Sequence, residues 1–449
     1  MSRSGGMKIL SIATYDKAGG AERVAFDLHK AYQRYGHDAR LIVRHKRTDD
    51  TSVMESDPFM STTPLALFFR YVDHGIADLP RFRGQYRIRD WLSCMSWPRR
   101  FLDRLRGIED FNYPYSHLLL NDPSWRPDVI HAHNLHGDFF DLNALTILSQ
   151  QIPVVWTLHD TWAFTGHCGY FIDCKLWQTG CGCCPDLSRP PSIRRDSTAE
   201  NLRRKRGIYE SSRLAVATPS FWLMSGVEES ILQPWRKRVI PYGVDLSVFR
   251  PGNKQRARTA LKLPHEAFIC LFVAYSVGDK NPYKDFQTLD RAFKQVTSKA
   301  GQLDPVLICI GAVHNNVSGS RYRFTGFLGD PVEISQYYTA ADVLVHAASA
   351  ENFPCTILEA MACGTPAIAT AVGGIVEQID HADTGFLVDR GDYRTIAQYI
   401  LKLMNEPELC HRLGQAASTK ACRSFGLDQQ GDQYLKWFDA LQVEYRRIA

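Results

Sequence analysis

The sequence predicts an α/β protein of two Rossmann-like, doubly wound domains, each a parallel sheet covered by helices, and three observations lead there. Strand-like runs recur with helix-like stretches between them, the alternation from which parallel sheets are built. The runs fall into two series parted by a proline- and glycine-marked segment, and 449 residues exceed what one hydrophobic core usually serves. The first series is MKILSIAT (7–14), DARLIVR (38–44), PDVIHAH (127–133), PVVWTLH (153–159), RLAVATPS (213–220) and KRVIPYG (237–243). The second is FICLFVAY (268–275), PVLICIGA (305–312), ADVLVHA (341–347) and TPAIAT (365–370). Between them Pro241, Gly243, Pro251 and Gly252 interrupt any regular element, which places a linker near 243–252. At the end of the chain Tyr434, Trp437, Phe438, Leu441 and Tyr445 recur at helical spacing and predict a terminal amphipathic helix.

Composition narrows the class. With 45% hydrophobic, 22% charged and 11% aromatic residues the chain is neither disordered nor fibrous. No uninterrupted apolar run reaches about 18 residues, so no membrane-spanning helix is expected. The opening apolar stretch, Met7 to Ala13, is short, contains Lys8 and runs into a glycine loop, which is not the pattern of a secretory leader; a cytoplasmic protein is expected. In that compartment the twelve cysteines read as buried thiols, metal ligands or redox groups rather than disulfides.

The segment ASAENFPCTILEAMACGTPAIATAVGGIVE carries the sharpest chemistry. Proline favours a first helical turn and glycine a stop, so a helix is expected from Pro354 to Cys363, with Glu351 on the loop before it and Glu359 on its second turn. The amides of Phe353, Cys355 and Thr356 then converge at a helix N-terminus, a ready phosphate site. A nucleotide diphosphate fits there with its sugar toward Glu351 and its ribose toward Glu359; the alternative is a pair of solvated, helix-flanking charges. The first half contains His131, His133, His136 and His159, two of them at strand ends, where open α/β sheets gather ligands, although HAHN or HDTW alone also suits a hydrogen-bonded structural histidine. Gly19 and Gly20 follow the first strand, as a phosphate-approaching loop or a plain turn.

This string, from Glu351 through EAMACGTP to Gly373, Gly374 and Glu377, resembles the glutamate pair of glycosyltransferase family 4, retaining enzymes of the GT-B fold. The resemblance extends to GGAERVAFDLHKAYQRYGHDARLIV (19–43) and to VIPYGVDLSVFRP (239–251), where Tyr242 replaces the family's usual asparagine. It implies two Rossmann-like domains facing a cleft, with a C-terminal helix returning to the first. The expected divisions are an acceptor-side domain at 1–242 with a cysteine-rich loop at 166–187, a nucleotide-sugar domain at 243–425, and the returning helix at 426–449. It implies Glu351 on donor-sugar hydroxyls, Glu359 on ribose hydroxyls, His159 beside sugar and acceptor, and Asp160 orienting the acceptor or a loop. Charge building on the departing diphosphate needs fixed cations. Lys284 in NPYKDF matches the family lysine, while the family arginine is absent and Lys280 is the candidate in its place. No pair of aspartates one residue apart appears, which favours stabilisation of the leaving group without a metal; no cofactor is expected for catalysis.

The activity implied is transfer of a hexose, with retention, from a UDP- or GDP-linked sugar to a saccharide or lipid-linked saccharide acceptor in cell-surface polysaccharide synthesis. A nucleotide-sugar epimerase of the same fold and a noncatalytic assembly scaffold are the alternatives. Cys168, Cys174, Cys181 and Cys184 suggest a structural zinc site, against reduced thiols packed under a loop or a disulfide, which the cytosol disfavours. That loop resembles one in the exopolysaccharide, colanic-acid-type subgroup. Between 81 and 106 eight arginines face two aspartates and interleave with Trp91, Trp97, Phe101 and Leu105. The mixture suits peripheral contact with an anionic membrane or a solvated helical face; without a recognition motif no nucleic acid is expected.

Overall fold

Apolar runs that do not alternate mark strands buried on both faces. The computed structural model uses them so; it describes residues 6–57, 64–77, 79–80, 82, 84–274, 281–301, 303–311 and 321–448. The first sheet has seven strands: β1 (Lys8–Tyr15), β2 (Asp38–His45), β3 (Val53–Glu55), β4 (Val129–Ala132), β5 (Val154–Thr157), β6 (Leu214–Thr218) and β7 (Arg236–Val239). Its order is β3-β2-β1-β4-β5-β6-β7, with parallel pairs. The second has six: β8 (Phe268–Val273), β9 (Pro305–Ile310), β10 (Tyr322–Gly326), β11 (Val343–His346), β12 (Ala367–Thr370) and β13 (Gly385–Val388), ordered β10-β9-β8-β11-β12-β13 and again parallel. Every residue of β4, β5, β6, β11 and β12 is buried.

The chain divides into two units. One holds the chain to Thr218, Leu223–Ile240 and the chain from Gln433; the other holds Pro219–Trp222 and Pro241–Asp432. In the first sheet β1 has β2 on one side and β4 on the other, and in the second β8 sits likewise between β9 and β11. Strand order reverses at those two places, and the carboxyl ends of the strands there open a crevice that favours ligands.

Helix α1 (Gly20–Arg34) follows β1 and buries Val24, Ala25, Leu28, Ala31 and Tyr32, a one-sided apolar stripe at three- and four-residue spacing. Between β3 and β4 lie the α-helices α2 (Pro64–Ala77), α3 (Gln85–Met95) and α4 (Pro98–Arg106) and a short 3-10 helix, Pro114–Leu118. The last helix, Leu427–Ile448, lays its part beyond Gln433 on the first unit, as expected. Its Tyr434 and Phe438 pack on His131, and the Tyr445 hydroxyl donates to the Ser149 carbonyl at 2.5 Å. Two doubly wound parallel units with that returning helix make up the GT-B fold.

Candidate active site

In the second unit the helix runs Cys355–Ala362, one residue shorter at each end than the sequence suggests. Pro354 stays extended as the N-cap (φ −65°, ψ 125°), and Gly364 turns the chain away at φ +80°, a left-handed value that glycine tolerates without strain. Lys284 reaches the loop ahead of this helix because its own segment pairs with the chain beyond β11: Lys284 bridges to Ala348, and the Asp285 amide donates to the Ala347 carbonyl at 3.1 Å. There Lys284 Nζ forms an ion pair with Glu351. It also lies 3.1 Å from His346 Nε2, whose Nδ1 is 3.3 Å from Thr356 Oγ1.

Burial opposes ionisation of Glu351, but the Lys284 ammonium outweighs it and holds the carboxyl down at about 2. Burial, reinforced by the same ammonium, lowers His346 to about 4 and keeps its ring neutral. Lys284, Glu351, His346 and Thr356 thus meet at the carboxyl end of β11, beside the reversal of strand order. His346 was missed in the sequence; its place at the end of ADVLVHA is the signal that singled out the histidines of the first half.

The two glycines of AVGG clamp this loop. A Cβ on Gly373 (φ +56°) would stand 1.7 Å from the Glu351 carbonyl oxygen, and the Gly374 amide donates to the Asn352 carbonyl at 2.8 Å. Ser220 Oγ donates to Asn352 Oδ1 at 2.7 Å, and Glu377 accepts the Phe221 and Trp222 amides, both at 2.8 Å. Phe353 is buried edge-on against Tyr242, the residue that replaces the expected asparagine, and against Phe425. Pro354 is buried, while Cys355 and Thr356 are half-buried. Glu359 is also buried and accepts the Tyr338 hydroxyl at 2.8 Å, apart from the Lys284 group. Lys280 lies outside the described residues.

In the first unit Gly19 caps α1 at φ −81°, and a Cβ on Gly20 would meet nothing within 4 Å. Neither backbone position has a left-handed φ; the space beside Gly20 is open, whereas a Cβ on Gly19 would stand 3.0 Å from Glu22 Oε2. Histidines line the ends of the neighbouring strands. Tyr32 Oη is 3.0 Å from His131 Nδ1, and His131 Nε2 is 2.8 Å from Thr157 Oγ1, which is 2.8 Å from Tyr434 Oη. His133 Nδ1 and His159 Nε2 share a hydrogen bond at 3.0 Å with stacked rings, and His136 Nε2 meets Asp160 Oδ2 at 3.0 Å. Burial lowers His159 to about 4 and pushes His133 well below the usual range. Burial would lower His136 too, but the Asp160 charge raises it instead.

The cysteine-rich loop and the arginine-rich stretch both belong to the first unit. Among the described residues, which include Cys168, Cys174, Cys181 and Cys184, no group of three or more His, Cys, Asp or Glu side chains is placed to hold a metal ion, and all four cysteines are free thiols. Burial raises Cys168 to about 12 and Cys181 to about 11, and charge on the neighbouring loop cysteines raises both further. In the same loop His167 Nδ1 lies 2.9 Å from the Pro191 carbonyl and its Nε2 3.4 Å from Cys184 Sγ, and the Gly182 amide donates to Thr198 Oγ1 at 2.9 Å. In the arginine-rich stretch, of which Arg81 and Arg83 lie outside the described residues, the charges differ in burial. Arg89 is bound to Asp73 and Glu55, Arg100 is buried against Asp110, and Arg104 pairs with Asp138; Arg87, Arg99 and Arg106 are exposed. Among the described residues no helix is long and apolar enough to cross a membrane.

Comparison with known proteins agrees with the fold. Residues 18–248, more than half of the chain, match the family model Glycosyltransferase Family 4, and residues 261–420 match Glycosyl transferases group 1. The chain therefore belongs to Glycosyltransferase Family 4. It is 32% identical to D-inositol 3-phosphate glycosyltransferase 1 of Catenulispora acidiphila over 216 residues, 45% of this chain and 51% of that one. It is 26% identical over 256 residues to WcaC of Escherichia coli K12, named as a colanic acid biosynthesis glycosyl transferase, covering 54% of this chain and 60% of that one. The chain spans about half the length of the curated relatives it matches. Anabaena HepE, solved with UDP and glucose, shares the fold at a TM-score of 0.62 and 19% identity, over 97% of this chain and 100% of that one.

Proposed function

We propose that this protein is a retaining glycosyltransferase that moves a hexose from a UDP- or GDP-linked sugar to a saccharide or lipid-linked saccharide in cell-surface polysaccharide synthesis, working at the cytoplasmic face of a membrane. The observation that carries the reading is the Lys284–Glu351–His346 group at the start of the Cys355–Ala362 helix, where the strand order reverses. HepE, of the same fold, was solved with UDP and glucose, and the curated relatives are named as glycosyltransferases.

Breaking the sugar–phosphate bond leaves negative charge on the diphosphate. A preorganised ammonium and helix-terminal amides stabilise that charge without reorganisation when the bond breaks. In this reading Lys284 supplies the ammonium, Glu351 holds donor-sugar hydroxyls, and Glu359 holds the ribose. Gly19 and Gly20 leave room for the diphosphate, and His159 and Asp160 serve the sugar and acceptor. Attack on the face of departure needs no covalent protein intermediate.

Thermal-shift screening against a panel of nucleotide sugars names the donor, because a ligand bound only by the folded state raises its melting temperature. Glu359→Ala is expected to weaken donor binding at least tenfold, and Lys284→Ala to slow transfer at least a hundredfold with a smaller change in binding. Wild-type turnover in both variants would remove the assignment. Release of nucleotide that depends on acceptor separates transfer from epimerisation.

A further inference from the structure

The ammonium of Lys284 settles which way a hydroxyl at the amino end of the Cys355–Ala362 helix can donate. His346 closes strand β11 and its side chain is 1% exposed, so both ring nitrogens need partners within the protein. Nε2 lies 3.1 Å from Lys284 Nζ and 3.5 Å from Glu351 Oε1, and Nδ1 lies 3.3 Å from Thr356 Oγ1. An ammonium carries protons and no lone pair, so at 3.1 Å it donates and Nε2 must be bare. A neutral imidazole keeps one proton, which then sits on Nδ1 and is donated to Thr356 Oγ1. The reverse tautomer would gain only the longer contact with Glu351 and would set an N–H against the ammonium, donor to donor.

The difference reaches the ligand side. Thr356 is the second residue of the helix and half-buried, among the amides that end it. With its oxygen accepting from the ring, the hydroxyl keeps its proton for an anion at the helix end. In the reverse tautomer that proton would be spent on Nδ1, and the lone pairs of the oxygen would face the anion and repel it.

We infer that His346 is a positioning residue: it passes the orientation imposed by Lys284 on to Thr356, whose hydroxyl then donates to a phosphate oxygen of a nucleoside diphosphate. The inference rests on the donor site proposed above and adds to it a buried ring that touches no ligand.

The full-length protein, labelled at histidine with the heavy nitrogen isotope, reports the ring tautomer by magnetic resonance without any ligand, the His346 signals being assigned by their loss in His346→Gln. A ring protonated on Nδ1 and bare on Nε2 is expected; the reverse tautomer or a doubly protonated ring overturns the inference. Calorimetric titration with UDP and with GDP reads the effect on binding, with melting curves reporting that each variant folds. Thr356→Val is expected to weaken the tighter of the two about tenfold, as loss of a hydrogen bond to a charged group does, and Thr356→Ser, which keeps the hydroxyl, to weaken it less. His346→Gln keeps an amide oxygen for Lys284 but nothing in the place of Nδ1. It should weaken binding severalfold in the wild-type background and hardly at all in the Thr356→Val background, because the two residues act as one unit. Equal losses in both backgrounds, or equal losses for serine and valine, would overturn it. Failure of both UDP and GDP to bind the wild type would remove the donor site itself, a result the ring spectrum separates from failure of the relay.

Discussion

At Gly373 and Gly20 the same residue type answers two different demands. Gly373 has left-handed backbone and no room for a Cβ against the Glu351 carbonyl, so Gly373→Ala must displace the loop that presents Glu351. Melting temperature and donor affinity are expected to fall together, and calorimetric titration with donor beside a melting curve checks both. A Cβ on Gly20 meets only open space, so Gly20→Ala is expected to leave stability unchanged or raise it by up to about 1 kcal/mol through helix propensity. It should still weaken donor binding, because the methyl enters the space assigned to the diphosphate. Unaltered donor affinity in Gly20→Ala would argue for a plain turn. These demands show in the sequence only as glycines; which atom a side chain would meet is set by chain far away along the sequence.

At the scale of elements, α4 is secured by a charge. The Arg100 and Asp110 side chains are 2% and 1% exposed; the guanidinium also donates to the Ser93 carbonyl at 3.1 Å and stands over the Tyr113 ring. Removing one partner of a buried pair leaves the other charge uncompensated, at a cost of roughly 3–5 kcal/mol. Arg100→Ala should lower stability by that order in chemical denaturation, whereas Arg99→Ala, on the exposed side of the same helix, should change it by less than about 0.5 kcal/mol. Dialysis against a strong chelator tests the cysteine loop: a drop of several degrees in melting temperature is expected if its thiols hold zinc, and an unaltered melting temperature if its hydrogen bonds alone secure it.

Acid sensitivity belongs to the whole molecule. His29 and His159 are lowered to about 4, His131 to about 3 and His346 to about 4, all by burial first. A histidine near 6.5 when unfolded and near 4 or below when folded binds its proton more readily in the unfolded chain. Stability is therefore full above about pH 6.5 and declines as pH falls toward 4. By pH 5 the loss is on the order of 1–2 kcal/mol for each such residue. Glu351, depressed to about 2, stabilises above the usual glutamate range and adds its loss only as pH falls from there toward 2. Melting temperatures between pH 8 and 4 should be level at the alkaline end and drop steadily below pH 6.5; a profile level down to pH 5 would contradict buried neutral histidines in both units.

The ten strands legible in the sequence are the apolar runs that form the centres of both sheets and the edge strand β7. The three that were not, β3, β10 and β13, are all edge strands. An edge strand is short and needs burial less, so β10, with no fully buried residue, carries no continuous apolar signal. The returning helix was legible because its aromatic spacing is local.

What the sequence by itself determined was therefore what repeats at short range: the α/β alternation, the two series of strands, the terminal helix, and the family string that singles out Lys284, Glu351 and Glu359. Tertiary structure decided what depends on distant partners. It brought His346 to Lys284 across 62 positions, matched Arg89, Arg100 and Arg104 with carboxylates that spacing could not assign, and buried the Cys168 thiol. The physical reason is that propensity and apolar period are properties of neighbouring residues. The state of a buried charge or thiol depends on which other groups the fold places within a few ångströms of it.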